Sequence, residues 1–150
     1  MATIPQFGVP EPGRAYPDRP VAFGVGVRDG LVALVRVEPA DGPVRIDLPG
    51  GGIDPGESAE QALAREFVEE TGLEVAAKAR LTRADHYFVN GASEAYNTRG
   101  VFFAVEILAE RPERKIEADH TLFWRPPAEA LTLLSRDSHA WAMVCWLRRG

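Results

Sequence analysis

Apolar residues along the chain follow two different periods, one of strands and one of helices. Residues 21–27 and 31–37 are apolar runs joined by Arg28-Asp29-Gly30, a combination typical of a β-hairpin. Other apolar runs of similar length predict strands at residues 44–48, 73–79, 81–89, 98–108 and 121–125.

The segment of residues 58–71 has the period of a helix. Apolar side chains recur every four positions at Ala59, Leu63 and Phe67, so they share one helical face. Ser58 begins the pattern of a capping box, and a glycine directly follows the last helical residue. These start and stop signals agree with the periodicity and predict a helix over residues 58–71.

The remaining segments complete the predicted order of elements. Residues 128–134 and 138–148 have the pattern of two further helices. Pro49 and the three glycines after it are predicted to break regular structure, and the charged residues 111–119 are predicted to form a loop. This order predicts an α/β domain in which helices pack on a sheet.

Length and composition indicate one folded domain. The chain has 150 residues, of which 45% are hydrophobic and 26% charged, as in an ordinary globular domain. Five of the 12 prolines fall between Pro5 and Pro20, which predicts an extended N-terminal arm over residues 1–20 that joins neither a helix nor a central strand. Residues 21–150 are then the single domain.

Net charge and cysteine content argue against several classes of protein. The net charge of −5 argues against a stable nucleic-acid complex, which needs a basic surface. The single cysteine, Cys145, excludes an internal disulfide and a multi-cysteine zinc site. Residues 1–10 lack the features of a signal peptide, and no apolar run reaches the roughly 18 residues of a membrane span. We therefore expect a cytoplasmic protein without a membrane partner.

Acidic residues are concentrated in one segment. Residues 54–74 contain seven acidic side chains and one basic one, whereas the rest of the chain is nearly neutral. Glu66, Glu69 and Glu70 have the spacing that places three carboxylates on one helical face, where they repel one another. A cation bound among them would reverse this repulsion, and oxygen-only ligands suit Mg²⁺ or Mn²⁺. Glu57 can reach the same cluster.

The neighbours of these carboxylates favour an anionic substrate that carries a metal ion. Arg65 can orient a carboxylate or hold a phosphate oxygen. Gly51 and Gly52 allow the backbone to approach a ligand closely. A polyphosphate fits this combination. The alternative is a solvated acidic helix without chemistry.

The whole segment 51–73, GGIDPGESAEQALAREFVEETGL, resembles the signature of the Nudix hydrolases, G-x5-E-x7-R-E-U-x-E-E-x-G-U, where U is a bulky apolar residue. Every fixed position is matched, and the matching residues are Gly51, Glu57, Arg65, Glu66, Phe67, Glu69, Glu70, Gly72 and Leu73.

The resemblance implies a fold, a reaction and a set of metal ligands. The implied fold is an α/β/α sandwich with a mixed sheet. The implied reaction is hydrolysis of a nucleoside diphosphate linked to another moiety X, with Mg²⁺ or Mn²⁺ as cofactor. The corresponding metal ligands are Glu66, Glu69 and Glu70, together with Glu57 and the carbonyl of Gly50.

The general base stays open at this point. Family members place it within the signature or in a later loop. Glu69 and Glu70 are the candidates within the signature, and Glu94, Glu117 and Asp119 are the candidates outside it. Glu117 stands just before a predicted strand, where related sequences often carry an acidic residue. We include it with Arg65 among the catalytic candidates.

Substrate contacts are predicted at four positions. Gly51 and Gly52 provide backbone contacts, Arg36 precedes the signature where many relatives bind phosphate, and Tyr87 can stack on a base. The pattern does not decide between a nucleoside triphosphate and a nucleotide sugar, and homodimerisation stays open.

A non-catalytic Nudix-fold domain that senses a nucleotide is the alternative function. The complete set of signature carboxylates favours the enzyme. The acidic composition disfavours a third reading, mRNA decapping.

Overall fold

The computed structural model of the chain describes residues 3–149. Within these residues the chain forms nine strands, three α-helices and a short 3-10 helix (Pro112–Arg114). The strands are β1 (Gln6–Phe7), β2 (Asp18–Val25), β3 (Val27–Arg28), β4 (Leu31–Val37), β5 (Arg45–Asp47), β6 (Gly50–Gly52), β7 (Leu73–Val89), β8 (Ala95–Glu110) and β9 (His120–Arg125). The α-helices are α1 (Ala59–Thr71), α2 (Pro127–Leu133) and α3 (Asp137–Arg148).

The strands form two sheets, one of five strands and one of four. The larger sheet is mixed and has the order β1-β7-β8-β2-β6, in which β2 runs parallel to β8 and antiparallel to β6. In the smaller sheet β4 pairs antiparallel with β3, β5 and β9. These pairings bring β6, which directly precedes α1 in the chain, to the edge of the larger sheet.

Helices cover both faces of the larger sheet. Phe23 on β2 packs in one core with Ala130 of α2 and Met143 of α3. Its neighbour Ala22 packs in a second core with Leu63 and Phe67 of α1. Successive side chains of a strand point to opposite faces, so the sheet lies between α1 and the two C-terminal helices. The predicted α/β/α sandwich with a mixed sheet is confirmed.

Helix α1 has the start and end that the sequence predicts. The Ser58 hydroxyl accepts a hydrogen bond from the Gln61 N–H, and the Gln61 side chain accepts one from the Ser58 N–H, so the capping box is complete. Gly72 ends the helix in the left-handed conformation. Burial of Leu63 and Phe67 directs the carboxylate face of α1 towards β6.

The glycines after Pro49 form a strand, although they were predicted to break regular structure. β6 pairs antiparallel with β2 over Gly50–Gly52. Gly50 has φ of +145°, and a side chain there would collide with the Ala22 carbonyl oxygen. The prediction was wrong because a run of glycines has no strand periodicity, while the absence of side chains allows close pairing with a distant strand.

The proline-rich N-terminal segment also contributes to the sheet. Gln6 and Phe7 pair parallel with β7, and β2 begins at Asp18. Pro20 is therefore a strand residue, contrary to the expectation that this segment joins no central strand. Its missing N–H is tolerated because the ladder with β6 starts only at the next residue, Val21.

Two further segments differ from the sequence prediction. The predicted strands 73–79 and 81–89 form one continuous strand, β7, whose register with β8 shifts at three places. Such bulges bend a strand without ending it. The predicted loop 111–119 contains the 3-10 helix. No helix within residues 3–149 is long and apolar enough to cross a membrane.

Candidate active site

A cavity of about 300 Å³ opens beside β6 and α1. Four acidic side chains line it: Asp47 and the three glutamates Glu66, Glu70 and Glu117, which we call the carboxylate cluster. Three arginines also line it together with His120, and we call Arg19, Arg45 and Arg136 the cavity arginines. The cavity therefore presents both signs of charge, and all three residues of β6 lie in its wall.

Glu70 is held in place from two sides. Its Oε1 accepts a hydrogen bond from the Gly50 N–H at 3.1 Å, and its Oε2 lies 3.2 Å from His120 Nε2. Burial raises the pKa of Glu70 to about 7, although the contacts with His120 and Gly50 favour the ionised form. The side chain thus joins the start of β6 to β9.

His120 balances the charge of Glu70. Burial alone would lower the pKa of His120, but the contacts with Glu70 and with Asp119, 2.8 Å away, raise it to about 9. His120 is therefore a cation at neutral pH in the metal-free protein. Its two ring nitrogens thus contact two different carboxylates.

Arg65 forms hydrogen bonds with several residues of the signature segment. Its Nε and Nη2 each donate to one oxygen of Glu57 at 2.8 Å, and Nη1 donates to Glu66 Oε1 at 2.9 Å. Nη2 also donates to the Gly52 carbonyl at 3.1 Å. The Arg65 hydrogen bonds, with one from the Asp54 N–H, lower the pKa of Glu57 to about 2. Arg65 therefore has the geometry of a residue that orients carboxylates.

Glu117 reaches the cavity because its loop is bound to α1. The Glu69 carbonyl accepts hydrogen bonds from the Ile116 N–H at 2.9 Å and the Glu117 N–H at 3.1 Å. The Glu117 carboxylate accepts no hydrogen bond from residues 3–149. The Glu69 side chain lies 3.5 Å from Arg65 Nη1, outside the cavity lining.

The donor set of the site fits a divalent cation. Burial raises the pKa of Glu66, and the charges of Glu69 and Glu117 raise it further against the effect of Arg65. A divalent cation would relieve this repulsion, and the donors are oxygens of the kind that Mg²⁺ and Mn²⁺ prefer. Glu117, Asp119 and His120 also place one potential ligand atom each within 4.8 Å of one another.

Two cavity arginines are bound to one buried carboxylate. Asp47 accepts from Arg136 Nη2 at 2.9 Å and from Arg45 Nε at 2.9 Å. The two guanidinium groups also lie 4.2 Å and 5.4 Å from the centre of the Phe88 ring. Burial would raise the pKa of Asp47, but Arg136, His139 and Arg45 hold it well below its usual range. Asp47 is therefore ionised, and it fixes both arginines.

Sequence reasoning missed this second part of the site. Asp47 stood inside a predicted strand, and Arg136 stood between two predicted helices. The one available signal was the preference for arginine over lysine, since 15 of the 17 basic residues are arginine. That preference does not indicate which arginines meet at a cavity.

Several predicted contact residues lie outside the cavity. Arg36 pairs with Glu38 on the surface and lines a separate cavity with Ile46, Thr121 and Phe123. The Tyr87 ring packs edge-on against the Tyr16 ring at 5.4 Å, and it is Phe88, the next residue, that lines the cavity. Glu94 accepts from the Asn90 side chain and the Tyr96 hydroxyl. Gly50, Gly51, Gly52, Glu66 and Glu70 are brought together as the sequence predicts.

Comparison with known families identifies one match over most of the chain. The family model described as "NUDIX domain" matches residues 18–147. This range begins with β2 and ends in α3, so it includes the carboxylate cluster and all cavity arginines.

Curated relatives include proteins of two bacteria. A Mycobacterium tuberculosis protein named "Putative 8-oxo-dGTP diphosphatase 2" is 39% identical over 113 residues, which are 73% of this chain and 74% of that protein. A Bacillus subtilis protein named "Putative 8-oxo-dGTP diphosphatase" is 60% identical over 35 residues, which are 23% of this chain and 24% of that protein. The match to the second relative is thus confined to a quarter of its length.

Solved structures share the fold at low sequence identity. A Nudix hydrolase from Nitrosomonas europaea has a TM-score of 0.75 at 20% identity, with 87% of this chain and 88% of that chain covered. The MutT protein from Methanosarcina mazei has a TM-score of 0.71 at 18% identity, with 91% and 97% covered.

Proposed function

Because the chain belongs to the Nudix hydrolase family, whose members act on phosphoanhydride bonds, we propose that it is a divalent-metal-dependent pyrophosphohydrolase. Its substrate class is a nucleoside diphosphate linked to another moiety X, such as a nucleoside triphosphate or a nucleotide sugar. One observation carries this proposal: Glu66, Glu70 and Glu117 line the same cavity as the Gly50–Gly52 strand. A solvated acidic helix would not place a buried and a partly buried carboxylate in the wall of a cavity.

Glu66 and Glu70 in the cavity, together with Glu69, which lies outside the lining beside Arg65, would hold Mg²⁺, with Mn²⁺ as the alternative ion. The carbonyl of Gly50 would also coordinate the ion. Glu57, which Arg65 holds through two hydrogen bonds, would coordinate it directly or through a water molecule. When bound, the ion neutralises negative charge on the phosphates and lowers the pKa of a coordinated water.

The residues of the chain would position and deprotonate the attacking water. Glu117 is the cavity carboxylate whose oxygens are not engaged by hydrogen bonds from residues 3–149, so it is suited to accept the proton. The water oxygen would form a bond to phosphorus, and the bridging oxygen would leave with the electron pair of its broken bond as part of the second phosphate product. The water proton would pass to Glu117. Arg65 positions Glu66 and Glu57 during this step.

The names of the curated relatives suggest a first substrate to test. Two of them are named for a diphosphatase acting on 8-oxo-dGTP. An oxidised purine deoxynucleoside triphosphate is therefore the first compound to assay as a substrate of this chain.

The decisive experiment is a substrate panel assayed for mononucleotide, phosphate and pyrophosphate, with and without Mg²⁺. Glu70→Gln should abolish turnover, because it removes a carboxylate from the cluster while keeping the side-chain shape. Glu60→Gln is the matched control, since Glu60 lies exposed in the first turn of the same helix. If the wild type binds nucleotides without turnover, the sensor function replaces the enzyme.

A further inference from the structure

Arg19 occupies a distinct position among the cavity arginines. It lies on β2, opposite Thr98 of β8, and its side chain lines the cavity. The guanidinium group lies 5.2 Å from the centre of the Tyr96 ring, and the Tyr96 hydroxyl donates to Glu94 at 3.2 Å. Stacking on a ring that is itself anchored restricts the conformations of the arginine.

The glycine strand leaves room for Arg19. A Cβ on Gly52 would lie 3.0 Å from Arg19 Nη2, and a Cβ on Gly51 would lie 2.7 Å from Glu66 Cδ. Successive Cβ atoms of a strand point to opposite faces. A guanidinium and a carboxylate therefore lie against the two faces of β6, and both groups reach the same cavity.

Arg19 also differs from the other arginines near the cavity in its partners. Arg45 and Arg136 are bound to Asp47, and Arg65 is bound to Glu57 and Glu66. Within residues 3–149, Arg19 forms neither an ion pair nor a hydrogen bond through its side chain. Its donors are free to bind an anion.

We propose that Arg19 binds the terminal phosphate of a nucleoside triphosphate, which makes the triphosphate the preferred substrate class. This inference rests on the proposed function. Glu70 is buried at the inner end of the carboxylate cluster, whereas Arg19 is exposed. The phosphate group of the substrate that Arg19 reaches is therefore the one farthest from Glu70. A planar guanidinium binds two phosphate oxygens at once. A neutral sugar in the place of the terminal phosphate would leave this charge without a partner.

The test compares Arg19→Ala with the wild type on a nucleoside triphosphate and on a nucleotide sugar. We expect KM for the triphosphate to rise about 10- to 100-fold, as for loss of a hydrogen-bonded charge pair, while kcat stays within about threefold. KM for the nucleotide sugar should change much less. Arg19→Lys keeps the positive charge but loses the planar guanidinium that binds two oxygens at once, so its KM for the triphosphate should be intermediate.

Arg28→Ala is the matched control. Arg28 also stacks on an aromatic ring, 4.5 Å from the centre of Trp124, but it is paired with Glu110 and does not line the cavity. Its removal should leave both KM values unchanged.

Two results would overturn the assignment. An unchanged KM in Arg19→Ala would show that the side chain binds no phosphate, and an equal rise for both substrates would place it on the shared diphosphate. If the wild type turns over neither substrate, the proposed function fails separately. Calorimetry with a non-hydrolysable nucleoside triphosphate and Mg²⁺ then decides the role of Arg19, since weaker binding by Arg19→Ala supports it and equal binding refutes it.

Discussion

The carboxylate cluster and the cavity arginines line one cavity but are assembled in different ways. Glu66 and Glu70 are four residues apart on α1, and Glu117 is bound to that helix through the Glu69 carbonyl. The cavity arginines come from β2, from β5 and from the residue before α3, and Asp47 holds two of them. Two of the three glutamates are thus placed by local structure, whereas Glu117 and the cavity arginines are placed by tertiary contacts.

The two sides also differ in how their charge is balanced before a ligand binds. The carboxylate cluster collects like charges that burial and mutual repulsion disfavour, with His120 and Arg65 as the cations beside it. Two of the cavity arginines already share a buried carboxylate and an aromatic ring. We therefore expect the carboxylate side to depend on a divalent cation and the arginine side to be preformed.

After the complete loss expected for Glu70→Gln, the largest effect should come from Glu117→Gln on the carboxylate side. Loss of a general base lowers kcat by about 100- to 10,000-fold, and the amide cannot take the proton. Steady-state kinetics at saturating Mg²⁺ measures this change. Glu113→Gln, an exposed substitution in the same loop, is the control. If Glu117→Gln remained within about threefold of the wild type, the base would have to be one of the other candidates, within or outside the signature.

On the arginine side, Arg136→Ala should lower the free energy of unfolding by about 3–5 kcal/mol. The Asp47 and Arg136 side chains are only 5% and 9% exposed, so removing the arginine leaves a buried charge without its main partner. Urea denaturation of the metal-free protein gives the value. Arg125→Ala should cost less than about 1 kcal/mol, because its pair with Glu129 is half exposed. Equal losses in the two variants would contradict a buried, preformed pair.

A third effect, smaller than the second, concerns acid stability. The pKa of Asp47 is held well below its usual range by Arg136 and the neighbouring cations, so the unfolded chain binds the proton more tightly than the folded one. The stability from this carboxylate is complete above about pH 4 and is lost as the pH falls further. Unfolding measured at a series of acidic pH values should show a shallower loss for Asp47→Asn. Glu38→Gln, a substitution in an exposed pair, should keep the slope of the wild type.

The smallest effect should follow from Arg36→Ala. Arg36 lies outside the cavity and pairs with Glu38 on the surface, so KM should stay within about twofold and stability within about 1 kcal/mol of the wild type. Parallel kinetics with Arg19→Ala would compare a surface arginine with a cavity arginine. A rise of KM in Arg36→Ala would mean that this side chain moves into the cavity when substrate binds.

Sequence periodicity and the signature were enough to predict α1 and its carboxylate face. The capping pattern at Ser58, the spacing of Leu63 and Phe67 and the glycine at position 72 act within one segment, and each has a local physical cause. For the same reason the positions of Glu66 and Glu70 on one face follow from the helical repeat alone. The α/β class followed from the order of such segments.

Contacts between distant residues decided the rest of the site. Asp47 and Arg136 are 89 positions apart, and nothing in either segment indicates that they meet. The choice of Arg19 over Arg36 as the cavity residue depends on which strand each belongs to and which face it occupies, and these are set by sheet order and register. The glycines of β6 became a strand only because β2 lies beside them. Local sequence determines an element through short-range sterics and hydrogen bonds, whereas a cavity made from several elements exists only once the packed core has placed them together.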